Sequence, residues 1–285
     1  MLAAMPRLDL GQAALSAALA AIGYTSRRVQ ARTGLVNVVE HRGGGPLPTI
    51  VLLHGLGSRG ADYLPLLQRL RRHARRVVAP DLPGHGASYA PAHFDLDSCV
   101  DALGEALDVT LDEPAVVFGN SLGGLTAIRL ALTRPHRVRG LFLASPAGAP
   151  SSPAELDALV AALRIETHGD ALRFLATVLH DEPGAMRHVV AWSLRRRYHS
   201  RALRALMRDV PRAQPLDPAE LARLTMPVYL LWGRDERLLP PSHLAFFRAH
   251  LRGATIEEPR GLGHSPQLDD VEGVARRLLA FARDV

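Results

Sequence analysis

The sequence predicts an α/β fold, a mostly parallel sheet with helices on both faces and a helical insertion. Three observations carry this. Apolar runs at 49–53, 76–79, 116–118, 138–144 and 227–232 do not alternate with polar residues, and they are separated by helical patterns. Strands buried on both faces read this way, because crossover helices cover a parallel sheet. The alternation breaks at Pro146 and resumes at Met226, with only helical segments punctuated by Pro and Gly from Ala149 to about Arg223. One apolar run, Val116-Val117-Phe118, ends in Gly119-Asn120-Ser121-Leu122-Gly123-Gly124 and passes at once into a helical pattern. That is strand, tight turn and helix, with one hydroxyl at the apex and glycines two residues before and after it.

Taken in order, residues 8–22 are Ala- and Leu-rich. Leu8, Leu15, Leu19 and Ile22 share one helical face, so an amphipathic helix packed on the domain is expected. Asp9 and Gln12 interrupt it, which argues against a signal peptide. Segments 28–32 and 35–41 flank Thr33-Gly34 as a hairpin. A buried strand over 49–53 precedes His54-Gly55-Leu56-Gly57, and a helix is expected over 61–72. The strand over 76–79 runs into Asp81-Leu82-Pro83-Gly84-His85-Gly86, and 96–111 is helical. After the insertion come a strand at 227–232, a helix at 242–251, a strand at 255–258 and a last helix over 268–283. The expected organisation is an N-terminal helical extension (1–23), a core in two pieces (24–148 and 224–285) and an inserted helical cap (149–223).

With 285 residues, 47% of them apolar and 22% charged, the chain can bury a full core. The single cysteine, Cys99, leaves no disulfide framework and no cysteine metal cluster, and no metal or other cofactor is expected. All 34 basic residues are Arg, so chemistry that needs a lysine amine is excluded. The net charge of +6 is spread along predicted helices without interleaved aromatics, so no nucleic-acid partner is expected. No apolar run reaches the length of a membrane span. The expected partner is a small-molecule substrate, and the expected location is cytoplasmic.

Two motifs compete for the site. Gly55-Leu56-Gly57-Ser58-Arg59-Gly60 matches the dinucleotide fingerprint, with Asp81 in the place of its ribose ligand. Against it stand His54 before the first glycine, the Pro- and Gly-rich run around Asp81, and the unexplained turn at Ser121. The competing reading makes His54-Gly55-Leu56-Gly57 an oxyanion loop. The backbone N–H groups of Leu56 and Leu122 then face the charge that develops in acyl transfer. A serine nucleophile needs a base, and the base needs an orienting acid. Trp232-Gly233-Arg234-Asp235 places Asp235 at a strand's carboxyl end, and Gly261-Leu262-Gly263-His264 places His264 in a loop before the last helix. Glu236 is the second candidate for the acid.

Together, His54-Gly55, Asp81-Leu82-Pro83-Gly84-His85-Gly86, Gly119-Asn120-Ser121-Leu122-Gly123-Gly124, Gly233-Arg234-Asp235 and Gly263-His264 resemble the α/β-hydrolase superfamily from about Arg28 onward. The resemblance implies the α/β-hydrolase fold, a triad of Ser121, Asp235 and His264, and a cap over the site. Asn120 before the serine is similar to the meta-cleavage-product C–C hydrolases. Ser265 after His264 and the Gly57-Ser58-Arg59-Gly60 loop depart from them. Carboxylic-ester hydrolysis through an acyl-enzyme is therefore expected first, C–C hydrolysis second and cofactor-free haloperoxidation third. A hydrolase fold kept only for binding is the alternative outside enzymes. Ser121 argues against the haloalkane dehalogenases, which use an Asp nucleophile. Asn120 and Trp192 are the candidate substrate contacts. The apolar residues of the insertion are expected to form the acyl pocket, Gly169, Pro183, Gly184 and Pro211 are candidate hinges, and Arg195-Arg196-Arg197 are expected in solvent.

Overall fold

The computed structural model describes residues 10–93, 95–181, 184–209 and 214–285. Helix α1 (Leu10–Ala21) leads into the antiparallel hairpin of β1 (Thr25–Ala31) and β2 (Gly34–Arg42). Then β3 (Ile50–Leu53), α2 (Leu64–Leu70), β4 (Arg76–Pro80), α3 (Leu96–Thr110), β5 (Ala115–Ser121), α4 (Leu122–Thr133) and β6 (Val138–Pro146) alternate. Helices α5 (Pro153–Ala162), α6 (His168–Val178), α7 (Arg187–Tyr198), α8 (Arg201–Asp209) and α9 (Pro218–Leu221) follow, with no strand among the described residues. β7 (Val228–Leu231), α10 (Pro241–His250), β8 (Thr255–Glu257), α11 (Pro266–Asp269) and α12 (Val271–Asp284) come last. The sheet order is β1-β2-β4-β3-β5-β6-β7-β8, parallel from β4 to β8 and antiparallel at the β1-β2-β4 edge.

The strand pleat explains the unbroken apolar runs. Ile50, Leu52, Val116 and Phe118 face one layer, which packs against α1, α2 and α12. Val51, Leu53 and Val117 face the other, against α3 and α4. Phe118, Phe142 and Tyr229 stack across three adjacent strands, with ring centroids 5.7 and 4.5 Å apart. The helical segment after β6 has a small core of its own around Ile165, Leu175, Tyr198 and Leu203.

Several expected elements are shorter or broken. The helix expected over 61–72 begins as a 3-10 turn, Gly60–Tyr63, before α2. The last helix is split because the Asp270 side chain caps a new one, accepting from Gly273 N–H at 2.8 Å. Leu19 on α1 is buried, but Ile22, just past the end of the helix, is 40% exposed, so the expected apolar face is only partly used. Leu8, Pro183 and Pro211 lie outside the described residues.

The loops after β3 and β4 are welded together. Asp81 accepts from Gly60 N–H (2.7 Å), Ala87 N–H (2.8 Å) and Asn37 Nδ2 (2.9 Å). The third glycine of the apparent dinucleotide fingerprint thus donates to the very residue cast as a ribose ligand, and both act as a turn. His54 is fully buried; its Nδ1 donates to Gly55 O (2.9 Å), while its Nε2 accepts from Leu82 N–H (2.9 Å). That pair of bonds requires the neutral ring.

Burial lowers the pKa of His54 to about 4 and that of His85, edge-on to it at 5.0 Å, to about 3. In the unfolded chain both return to about 6.5. Between those values the unfolded state binds protons that the folded state does not, so stability falls as pH falls. The loss reaches about 1.4 kcal/mol per pH unit for each histidine. Urea titrations should show the midpoint dropping from pH 6.5 to 4. His54→Gln, whose amide can make both bonds, should flatten that drop; an unchanged slope contradicts the assignment.

Candidate active site

Strand β5 ends on Ser121, which has φ 54° and ψ −120°. A non-glycine residue at such a positive φ costs on the order of 1–3 kcal/mol and persists only where its surroundings enforce it. Here they do. A Cβ at Gly119 would collide with the Gly123 carbonyl, and one at Gly123 with the Leu53 carbonyl, so strand and helix meet backbone to backbone. Ser121 O also accepts from Ala147 N–H at 3.0 Å. Helix α4 starts at Leu122, so its positive end lies behind the serine, and the Leu122 N–H has no acceptor within the helix. Leu56, in the loop after β3, lines the cavity in front of Ser121.

The acid beside His264 is Glu236, not Asp235. His264 Nδ1 lies 2.8 Å from Glu236 Oε2, and both side chains are almost fully buried. The other Glu236 oxygen accepts from Leu238 N–H (2.8 Å) and Leu239 N–H (3.0 Å). Burial pushes the Glu236 carboxyl up, but the His264 ring and these N–H groups outweigh it and hold the pKa below the usual value. Asp235 points elsewhere. Its Oδ2 accepts from Gly261 N–H (2.8 Å) and lies 3.1 Å from His180 Nδ1. The bond from Asp235 N–H to Leu262 O (3.0 Å) fixes the turn so that Asp235 braces the loop carrying His264, while the next side chain turns inward.

Asn120 lines the cavity, but its amide is engaged by the protein. Its Nδ2 donates to Ala144 O (3.0 Å) and His264 O (2.8 Å), and its Oδ1 accepts from Gln267 Nε2 (3.0 Å). Gln267 Nε2 also reaches Tyr63 OH (3.1 Å). The residue before Ser121 therefore braces the histidine loop, through a glutamine that no sequence motif marks. Trp192 is not on the cavity wall. It is 55% exposed, with the Arg196 guanidinium 5.7 Å from its ring centroid. Arg197, expected in solvent, instead reaches back to the sheet side and pairs with Asp62.

The cavity measures about 780 Å³ and contains Ser121, His264 and Leu56 on one wall. Its opposite wall is Leu163, Phe174, Leu175, Val178, Val189 and Val190 from the helical segment. The same segment holds the histidine loop: Ser265 N–H donates to Val178 O (3.0 Å), and Asp269 accepts from both His180 N–H (2.8 Å) and Gly263 N–H (2.7 Å). Cys99 is buried on α3, with its thiol pushed up to about 12 by burial. Among the described residues no group of three or more His, Cys, Asp or Glu could hold a metal ion, and no helix is long and apolar enough to cross a membrane.

Residues 50–277 match the alpha/beta hydrolase family. The chain is 29% identical over 248 residues to a pimeloyl-[acyl-carrier protein] methyl ester esterase of Neisseria meningitidis serogroup C, covering 83% of this chain and 94% of that one. Among solved structures it superposes on a membrane phospholipase A described as a bacterial virulence factor, with TM-score 0.82 and 25% identity over 98% of this chain and 94% of that one. It also superposes on the 2-hydroxy-6-oxo-6-phenylhexa-2,4-dienoate hydrolase of Rhodococcus sp. strain RHA1, with TM-score 0.80 and 25% identity over 91% and 99%. The serine turn, the buried histidine–carboxylate pair and the match across most of the chain agree: the protein belongs to the alpha/beta hydrolase family and is a hydrolase.

Proposed function

We propose that the protein hydrolyses carboxylic esters of small or medium apolar acyl groups through an acyl-enzyme on Ser121. The observation that carries this reading is the pairing of His264 Nδ1 with the buried Glu236, beside a serine held at positive φ on the same cavity. With Nδ1–H donated to the carboxylate, Nε2 is left as the acceptor for the serine proton. Ser121 Oγ attacks the ester carbonyl as its proton passes to Nε2, and the N–H groups of Leu56 and Leu122 receive the oxyanion. Collapse expels the alcohol, which takes that proton. Water then repeats the sequence on the acyl-enzyme, releases the acid and restores the serine. Glu236 keeps the ring in the productive tautomer and stabilises the imidazolium.

The helical segment is the cap in this reading, and its Leu, Val and Phe side chains form the acyl pocket. A neutral substrate fits the charges. Among the described residues Arg197 is the one arginine on the lining, and it is already paired with Asp62, as His180 is with Asp235, so a free carboxylate on the substrate would have to compete for either. The relative is named for a pimeloyl-[acyl-carrier protein] methyl ester, whose apolar pimeloyl chain is consistent with such a pocket. The second reading is C–C hydrolysis, favoured by Asn120 before Ser121 and by the likeness to the dienoate hydrolase. The engaged arginine counts against it, because a dienoate carries a carboxylate.

Ser121→Ala should abolish both p-nitrophenyl butyrate hydrolysis and fluorophosphonate labelling while the fold persists; labelling that survives sinks the assignment. Glu236→Gln should lower kcat by roughly 10⁴-fold, as when a triad histidine is held in the wrong tautomer. Asp235→Asn should retain activity within about tenfold, since Asp235 meets the loop backbone at Gly261 and the His180 ring but not His264. The reverse ranking would return the acid role to Asp235. In an ester series of graded acyl length, Phe174→Ala and Val190→Ala should shift the preferred length upward. A vinylogous diketone turned over faster than any ester would favour the second reading.

A further inference from the structure

We infer that Arg197 is a positioning residue, which ties the cap to the loop bearing the Leu56 donor and so makes the oxyanion site depend on cap position. This rests on the ester-hydrolase reading above. Arg197 is the last residue but one of α7, yet its guanidinium leaves the cap. Its Nη1 donates to Gly57 O (3.3 Å) and to Asp62, and its Nη2 to the other Asp62 oxygen at 3.0 Å. The fork geometry suits a carboxylate and fixes direction as well as charge. Asp62 in turn accepts from Ser58 Oγ (3.0 Å) and Arg59 Nε (3.3 Å). The pair is half-buried, with side-chain exposures of 30% and 26%, so solvent weakens it less than a surface pair.

Every residue of the 56–58 stretch thus meets the cap or its ion pair. Leu56 packs into the cap's own apolar cluster. Gly57 sits at φ 76° with the Tyr198 ring so close that a Cβ would collide with it. Ser58 is bound to Asp62. A glycine at position 57 has little conformational preference of its own, and the turn is closed by a backbone bond from Ser58 N–H to Gly55 O at 3.2 Å. A donor aimed at a developing oxyanion must be held to within a fraction of an ångström. Arg197 and Tyr198 supply that constraint from the cap side. When the cap lifts, the guanidinium leaves Gly57 O and the loop loses its outer support.

The test compares Arg197→Met, Arg197→Lys and Asp62→Asn with the full-length parent on p-nitrophenyl acetate and butyrate. Arg164→Met, which breaks an exposed cap pair with Glu166, is the control. Arg197→Met should lower kcat by about 10- to 100-fold, less than outright removal of a donor, with KM moved by less than about threefold. The rate of Ser121 phosphonylation should fall in parallel, because the phosphonyl oxygen uses the same donors. Arg197→Lys should recover part of kcat, and Arg197→Met with Asp62→Asn should be no worse than the worse single variant. Arg164→Met should leave kcat unchanged. If Arg197→Met does not fold, Arg197→Lys and Asp62→Asn carry the same comparison. A folded variant with lowered Tm but parental kcat, or a loss confined to KM, overturns the inference. Failure of the parent to hydrolyse either ester would instead strike the underlying reading.

Discussion

The turn at Ser121 exists because β5 and α4 almost touch. Gly119 lets the β5 and α4 backbones touch, Gly123 lets α4 lie against the end of β3, and the serine between the two glycines is held in a conformation it would not choose alone. The rest of the site is built on this crossing. It fixes where the helix N-terminus points, and it places Asn120 one step back in the strand, where its amide can reach the His264 carbonyl. It also opens the cavity at the carboxyl ends of the strands, the edge where open parallel sheets bind ligands. A side chain at Gly119 or Gly123 would separate strand from helix and relax the serine into an ordinary turn.

Around that crossing, the loops of the site are held by bonds to their neighbours. The histidine loop is bound to the sheet through Asn120, and to the helical segment through Val178 and Asp269. The loop after β3 is bound to the sheet side through His54 and Asp81. These loops have little regular structure of their own, so their precision comes from neighbours. The polar groups that do this are buried or half-buried, and they are paired.

Much of this is legible in the sequence. Helical and strand periods gave the alternation, because burial on both faces leaves its mark on every strand. The positions of Ser121 and His264 on the cavity are legible because turn residues mark both loops. The choice between Asp235 and Glu236 was not, since neighbouring acids in one turn differ only in where tertiary contacts send them. Gly261 and His180 draw Asp235 outward, and neither is near it in sequence. Arg197 was equally hidden. It is one of three consecutive arginines, and only the packing of α7 on the loop after β3 distinguishes it, through a partner 135 positions away. Trp192 misled because an aromatic in an apolar helix looks like a pocket wall, whereas its ring lies under Arg196 at the surface. The split of the last helix at Asp270 followed from a capping carboxylate inside an otherwise continuous helical pattern.

The bond from Asn120 to the His264 carbonyl spans 144 positions. Its length has a consequence for the order in which the chain comes together. Contacts of that separation carry a large loop-closure entropy and form late, whereas the Ser121 turn is local to one strand and helix. A chain growing from its N-terminus completes the strained serine well before the segment that carries Glu236 and His264 has emerged. Until β7 and β8 dock, Ser121 is an ordinary alcohol with no proton acceptor beside it. On the proposed assignment, hydrolytic competence is thus acquired last. Recovery of activity during refolding reports the joining of the two halves of the sheet, which helix content alone does not.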